Sequence, residues 1–435
     1  MNTRMIGFLL GRILMVEAGL LALPLLTALL YGEPLMPWLA TMLVLAAIGW
    51  GLSLWKPERT ALYAKDGFAA VALVWLLMSA FGALPFVLSG DIPNYIDAFF
   101  ETVSGFTTTG ASILTAVEPL SRGGLLWRSF THWVGGMGVL VFMLIVLPLA
   151  GGQTIFLMRA ESPGPAVSKM SPHMRDTATI LYAIYFGLTV LQMILLLIGG
   201  MPLFDAICVS LGTAGTGGFG NWNDSIAHYN SAYLQNVITV FMILFGINFS
   251  AYFLILTRKF RQAFRIEEIR VYLGVIFVFA GLIAFNVRPM FGSLRESFHH
   301  ALFQVASIIT TTGFSTVDFD RWPTFSRALL VLLMFIGACA GSTGGGIKCS
   351  RILLLFKGVK KEMMSLIHPR LVRVNKMDGQ RVPHEVMRSI NVFVVAYAFI
   401  FILSLLIISL NCEDLVTCFT SVATTLNNVG PGLSL

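Results

Sequence analysis

Charge is what this chain has least of. Only 12% of its 435 residues are Asp, Glu, Lys or Arg, against roughly a quarter in a soluble domain. With 56% hydrophobic residues and a mean hydropathy of +0.81, its solvent is a bilayer rather than water. Cysteine is also scarce. Cys208, Cys339, Cys349, Cys412 and Cys418 show neither close zinc spacing nor a disulfide framework, and read as small buried hydrophobes. His132, His228, His299 and His300 have no metal-ligand spacing and read as interface histidines. No nucleophile–base arrangement stands out, which argues against an enzyme. The net charge of +7 would suit nucleic acid, but its placement along the chain argues otherwise.

What the chain does have is a phrase said four times. Phe106-Thr107-Thr108-Thr109-Gly110 returns closely as Thr310-Thr311-Thr312-Gly313-Phe314, loosely as Thr216-Gly217-Gly218-Phe219, and most diverged as Asn427-Asn428-Val429-Gly430. A small or hydroxyl residue (Ser104, Gly212, Ser307, Thr424) stands six positions before each aligned glycine. The copies recur every roughly 95 to 117 residues, longer than solenoid periods. Four large repeats with one Thr/Gly loop each make a plan for building one site from four sides.

Hydropathy places these loops. Residues 6–31 and 37–55 are two apolar spans outside the repeats, read as a retained helical hairpin rather than a signal peptide. From residue 67 the order is span, half-length segment, loop, returning span. The first unit has 67–89, 95–105 and 124–149; the second has 178–200, 203–212 and 232–257. The third has 271–288, 296–309 and 326–347; the fourth has 389–410 and 413–424. The domain boundaries follow as 1–66 for the hairpin, then 67–176, 177–270, 271–388 and 389–435 for the repeats. The fourth repeat lacks its returning span, so the chain is expected to be incomplete or functionally impaired.

Basic residues test that topology, since cytoplasmic loops collect Lys and Arg. With the N-terminus inside and short segments dipping in from outside, most of the 29 Lys and Arg fall inward. They include Arg4, Lys56, Arg59, Arg159, Lys169, Arg258 and the run from Lys348 through Arg370 and Arg373 to Arg388. The short segments are therefore re-entrant. Asp97, Glu101, Asp205, Glu296, Glu413 and Asp414 lie near them on the predicted outer side, suited either to drawing cations to a mouth or to capping.

Non-helical backbone is tolerated at membrane depth only where protein or a watery cavity satisfies it. Glycine allows positive φ and adds no side chain, while threonine supplies a hydroxyl to tie the loop to its short helix. Four such loops would aim carbonyls at a dehydrated cation.

These motifs together resemble membrane subunits of the Trk/Ktr/HKT potassium transporter superfamily, nearest the bacterial TrkH/TrkG type. The leading hairpin favours that branch. The resemblance implies an all-α polytopic membrane protein, with four span–pore-helix–filter-loop–span repeats around a pseudo-fourfold pore. It implies potassium uptake across the bacterial cytoplasmic (inner) membrane. The filter would be Thr108, Thr109 and Gly110; Thr216, Gly217 and Gly218; Thr311, Thr312 and Gly313; and Asn428, Val429 and Gly430. Gly217 and Gly218 compete for the key position of the second loop, and Phe219, matching Phe314, favours Gly218. Potassium is substrate here, and no cofactor is implied.

A second glycine-rich segment runs from Gly337 to Lys348. Ile347 separates Gly346 from Lys348, so it is not a phosphate-binding loop. Close helix packing by small residues is one reading; a helix broken in mid-membrane is the other. Relatives use this segment as an intramembrane gate, which implies that role for Gly337, Gly341, Ser342, Thr343, Gly344, Gly345, Gly346 and Lys348. The resemblance further implies a homodimer carrying a cytosolic nucleotide-binding regulatory subunit of TrkA/KtrA type, with the lipid bilayer as surroundings and no nucleic acid. An ion-coupled secondary transporter with alternating access is the alternative; four like-oriented units fit it poorly.

Overall fold

The computed structural model describes residues 2–55, 64–146, 174–368, 374–411 and 414–433. Lys56, Arg59, Arg159, Lys169, Arg370, Arg373, Cys412, Glu413 and the end of the span 124–149 lie outside the described residues. Among the described residues, six helices are long and apolar enough to cross a membrane, or seven if a bent pair counts as one span. They are Thr3–Tyr31, Met36–Ser53, Lys65–Ser89, Thr179–Ile198, Glu267–Met290 and His384–Ile408, with Ala232–Phe245 plus Phe249–Leu256 as the bent pair. The protein is a multi-pass, all-α membrane protein.

The four short segments are helices, Tyr95–Phe106, Leu203–Ala214, Leu294–Ile309 and Leu415–Asn427. Each begins at a residue suited to the task. The Asn94, Ser293 and Asp414 side chains accept from the backbone N–H of Ile96, Glu296 and Thr417, and Pro202 opens the second helix. At 12 to 16 residues they are shorter than the ~20 residues that a span needs.

The chain packs into two compact units, one ending at Tyr229 and the other beginning at Asn230. The first holds the hairpin and short helices one and two. Gly11 and Gly49 bring the two hairpin helices together: a methyl at either would lie within 2.8 Å of the other's carbonyl oxygen. Small residues of this kind let membrane helices approach closely. The unit's core gathers Trp38, Phe86, Phe106 and Trp127, and the buried Trp127 indole donates to the Gly82 carbonyl at 2.9 Å, as a buried indole must.

The second unit holds short helices three and four, with a core around Tyr272, Ile276, Leu330, Leu333 and Met334. Two returning spans are broken here, one against expectation and one at the glycine-rich segment where a broken helix is one of the readings. The span 232–257 bends by 92° between Ala232–Phe245 and Phe249–Leu256, and 326–347 is helical only over Thr324–Ile336 before the chain resumes at Cys349–Ile367.

Carbonyl accounting explains the first break. Bending at Gly246 to Asn248 frees carbonyls, which at membrane depth need donors. Ile243 O accepts from the Tyr272 hydroxyl at 3.2 Å and Leu244 O from the Tyr252 hydroxyl at 2.6 Å. Phe245 O takes the Thr343 hydroxyl at 3.3 Å and Gly246 O the Cys339 N–H at 3.1 Å. Phe249 N–H then donates to Gly341 O at 3.0 Å, while Asn248 caps the new helix through Ser250 N–H. Each break thus satisfies the other.

Cys208, Cys339 and Cys349 are free and buried, as expected of small hydrophobes. Cys418, by contrast, is disulfide-bonded, against the expectation of no disulfide. It sits on the fourth short helix, Leu415–Asn427.

Candidate functional site

All four Thr/Gly loops close their short helices in the same way. The helix ends, one residue turns left-handed, and a backbone N–H reaches back over the last turn. Thr109 N–H donates to Ser104 O at 2.8 Å, Gly217 to Gly212 O at 3.0 Å, Thr312 to Ser307 O at 2.8 Å and Val429 to Thr424 O at 2.8 Å. The preceding residue's N–H reaches Gly105, Thr213, Ile308 or Thr425 O at 3.0 to 3.3 Å. This is the Schellman closure of a helix C-terminus, whose left-handed position is usually glycine.

Here that position is Thr108 (φ 60°), Thr216 (53°), Thr311 (59°) and Asn428 (67°). A β-branched residue there is strained by roughly 1–3 kcal/mol, a cost that tends to be kept at functional sites. Two residues later φ is positive again, at Gly110 (76°), Gly218 (79°), Gly313 (86°) and Gly430 (91°). These four glycines, unlike the buried residue before each, are partly exposed. Of the competing pair in the second loop, Gly218 therefore matches the other three, and Gly217 takes the place of Thr109.

Loops one and three also share a hydroxyl clasp. The Thr107 hydroxyl meets that of Thr109, and Thr310 that of Thr312, each pair at 2.8 Å. Gly215 and Gly217, or Asn427 and Val429, stand at those positions in the other two loops.

Within the first unit, loops one and two pack without room for a side chain. A Cβ on Gly110 would run into the Gly217 carbonyl oxygen, and one on Gly217 into the His132 ring. His132 is fully buried, stacks on Phe219 at 4.2 Å and accepts the Phe219 N–H through Nδ1 at 3.4 Å. Behind it Arg128 and Glu101 form an ion pair at 2.7 Å, with side-chain exposures of 2% and 0%. Glu101 also accepts from the Ser112 hydroxyl and the Ile113 N–H, and Arg128 donates to Gly220 O and lies 4.1 Å over the Phe219 ring. Asp205 holds the Asn221 amide at 2.9 Å. Glu101 and Asp205 are thus buried struts of the loops rather than open charges at a mouth, and Asp414 is a cap. His228 stacks on Trp222, His299 bonds Gln235 and His300 bonds Thr316. These are structural contacts, as the spacing suggested.

Within the second unit, a Cβ on Gly313 would lie 2.5 Å from Val429 O. Against these two loops lies the segment from Gly337 to Lys348. Gly345 N–H donates to the Thr311 hydroxyl at 2.6 Å and Gly346 N–H to Asn427 O at 3.0 Å. Gly344 is pressed on Thr310 O, and Gly345 on Asn427 O and the Asn428 Cβ, all within 2.8 Å of an added methyl. Gly341 meets the Asn248 break; Ser342 and Thr343 spend their hydroxyls on Cys339 O and Phe245 O. Lys348 turns back so that its ammonium donates to Gly344 O. The structure therefore brings all eight predicted residues of this segment into one non-helical insert beside loops three and four.

Sequence reasoning missed Arg128 and His132 as supports of the loops, and Glu268, whose buried carboxylate binds the insert. A buried charge within an apolar span was the available signal. Among the described residues no group of His, Cys, Asp and Glu is arranged to hold a metal ion.

Known proteins carry the same sequence and architecture. A family model described as TrkH, cation transport protein, matches residues 38–287 and 286–434. The Trk system potassium uptake protein TrkH of Salmonella typhimurium is 38% identical over 446 residues, covering 100% of this chain and 92% of that protein. The Trk system potassium uptake protein TrkG of Escherichia coli strain K12 is 35% identical, covering 94% and 86%. The crystal structure of the potassium transporter TrkH from Vibrio parahaemolyticus superposes with a TM-score of 0.90 at 33% identity, covering 100% of this chain and 91% of that one. With that breadth of match in sequence and fold, this chain belongs to the TrkH family of cation transport proteins.

Proposed function

We propose that this protein mediates potassium uptake across the cytoplasmic membrane, through a filter of backbone carbonyls from its four Thr/Gly loops. The observation that carries the reading is the repeated geometry: a left-handed Thr or Asn followed two residues later by a left-handed glycine, in all four loops. Carbonyl rings of this kind replace the hydration shell of a potassium ion, and the named relatives are potassium uptake proteins. Thr108, Thr109, Gly110, Thr216, Gly217, Gly218, Thr311, Thr312, Gly313, Asn428, Val429 and Gly430 form the filter in this reading, with potassium as substrate.

The insert from Gly337 to Lys348 is the gate. Its contacts with Thr311 and Asn427 put it in reach of the filter loops, and its glycines let it move. The N-terminus lies in the cytoplasm, in keeping with the basic residues on that side. The partners are a second copy of the chain and a cytosolic nucleotide-binding subunit of TrkA/KtrA type on the basic inner surface.

Flux through the reconstituted protein, measured for potassium and sodium separately, tests the reading, and single-channel recording tests the mode of transport. Potassium-selective unitary currents are expected. Equal passage of both ions would overturn the filter assignment.

A further inference from the structure

Glu268 stands at the start of the span Glu267–Met290 and is 3% exposed. An acid buried there needs partners, and its partners are unusual. One oxygen, Oε1, accepts the Ala340 N–H at 2.7 Å and the Ser350 N–H at 3.0 Å. Ala340 lies four residues beyond the helix Thr324–Ile336, near the start of the insert, and Ser350 in the first turn of the helix Cys349–Ile367. A single carboxylate oxygen therefore bridges both ends of the insert. It also meets the N-terminus of the second helix, where unpaired N–H groups and the helix dipole favour an anion.

The neighbouring bonds act in the same sense. Cys349 N–H donates to Ala338 O at 3.0 Å, closing the base of the insert a second time. Lys348, the residue before Cys349, turns its ammonium back onto Gly344 O. The tip at Gly344 and Gly345 is thus tied through Lys348 to the base that Glu268 holds. Glu268 has no bond to any of the four Thr/Gly loops among those described, so its effect on them runs through the insert.

We propose that Glu268 is the positioning residue of the gate, clamping the two ends of the Gly337–Lys348 insert so that its tip rests against loops three and four. The assignment builds on the proposed function, which names the insert as gate. Releasing the clamp frees the tip and raises the open population, while the filter itself is untouched.

The test uses the full chain in proteoliposomes with the variants Glu268→Ala and Glu268→Gln. Glu268→Ala is expected to raise resting potassium flux about tenfold, the effect of losing charge-assisted bonds, with the potassium-to-sodium ratio unchanged. Glu268→Gln keeps an Oε1 acceptor for both N–H groups and restores most of the wild-type behaviour. The native cysteines give a second readout. Cys339 lies within the insert and Cys349 directly after it, 0% and 1% exposed, while Cys208, 1% exposed, lies in the first unit. A membrane-permeant maleimide should label Cys339 and Cys349 in Glu268→Ala while sparing Cys208, and spare all three in Glu268→Gln. Labelling of all three would show a general structural role and overturn the assignment. So would Glu268→Ala flux and labelling like wild type. A wild-type protein that passes no potassium would instead sink the proposed function, and the labelling pattern would still judge the clamp.

Discussion

The backbone N–H of Gly345 donates to the hydroxyl of Thr311 at 2.6 Å, joining the glycine-rich insert to the strained residue of the third loop. Valine keeps the shape of Thr311 and its β-branch but cannot accept that bond. Thr311→Val should therefore loosen the insert by about 1 kcal/mol, the net value of one hydrogen bond, or several-fold in the gating equilibrium. Resting potassium flux through the variant, compared with wild type at equal protein, checks this. Unchanged flux would remove Thr311 from the gate contact.

Gly110→Ser should weaken discrimination against sodium. A Cβ at Gly110 meets the Gly217 carbonyl oxygen, and the left-handed φ of 76° suits no serine. The loop must shift, carrying its carbonyls with it. Separate potassium and sodium uptake by reconstituted protein gives the ratio, and an unaltered ratio would place selectivity elsewhere.

The Glu101–Arg128 pair is buried at 2.7 Å, so removing one partner leaves an uncompensated charge. Arg128→Met should destabilise the first unit by about 3–5 kcal/mol, and Glu101→Gln added to it should recover part of the loss. Thermal unfolding of the purified protein in detergent provides the comparison. Equal unfolding temperatures for wild type and Arg128→Met would show the pair to be dispensable.

In the same unit, Glu118 accepts the Asn223 N–H at 2.8 Å, and Asn223 in turn holds Val117 N–H and Thr115 O. The Asn223 bond, followed by the residue's own backbone N–H, keeps the Glu118 carboxyl below its ordinary value of 4.5. A carboxylate held low in the folded state adds stability above its unfolded pKa, and loses it as pH falls through the lower folded value. The lashing between residues 115–118 and Asn223 should hold from neutral pH down past 4.5 and then come undone. Amide exchange at Asn223, followed as pH is lowered, would show the transition, and Glu118→Gln should abolish it.

Much of this was legible in the sequence because it repeats. Four loops of like spacing, each behind a segment too short to cross, were readable from Thr109-Gly110 to Val429-Gly430. The glycines of 337–346 announced a broken helix. The bend at Gly246 to Asn248 was not readable, because what permits it lies far along the chain: Tyr272, Cys339 and Thr343 take the carbonyls it frees. Local composition there, Leu244-Phe245-Gly246-Ile247-Asn248-Phe249, looks like any apolar span with a glycine. Glu101 and Asp205 were noticed, but only packing shows that their charges are spent on Arg128 and Asn221. The left-handed threonines were hidden for a similar reason, since local propensity argues against them and only the Schellman closure holds them.

The interlocked bends carry one more consequence, for heat. If the insert withdraws, Phe245 and Gly246 lose their donors Thr343 and Cys339, and Phe249 its acceptor Gly341. Several bonds must then break together, and each carries an enthalpy of several kcal/mol until water takes the place of the lost partner. Opening should accordingly have a large activation enthalpy and a steep Arrhenius slope, while conduction through an already open path stays shallow, like diffusion. Warming by ten degrees would then multiply the number of conducting molecules far more than the current each one carries.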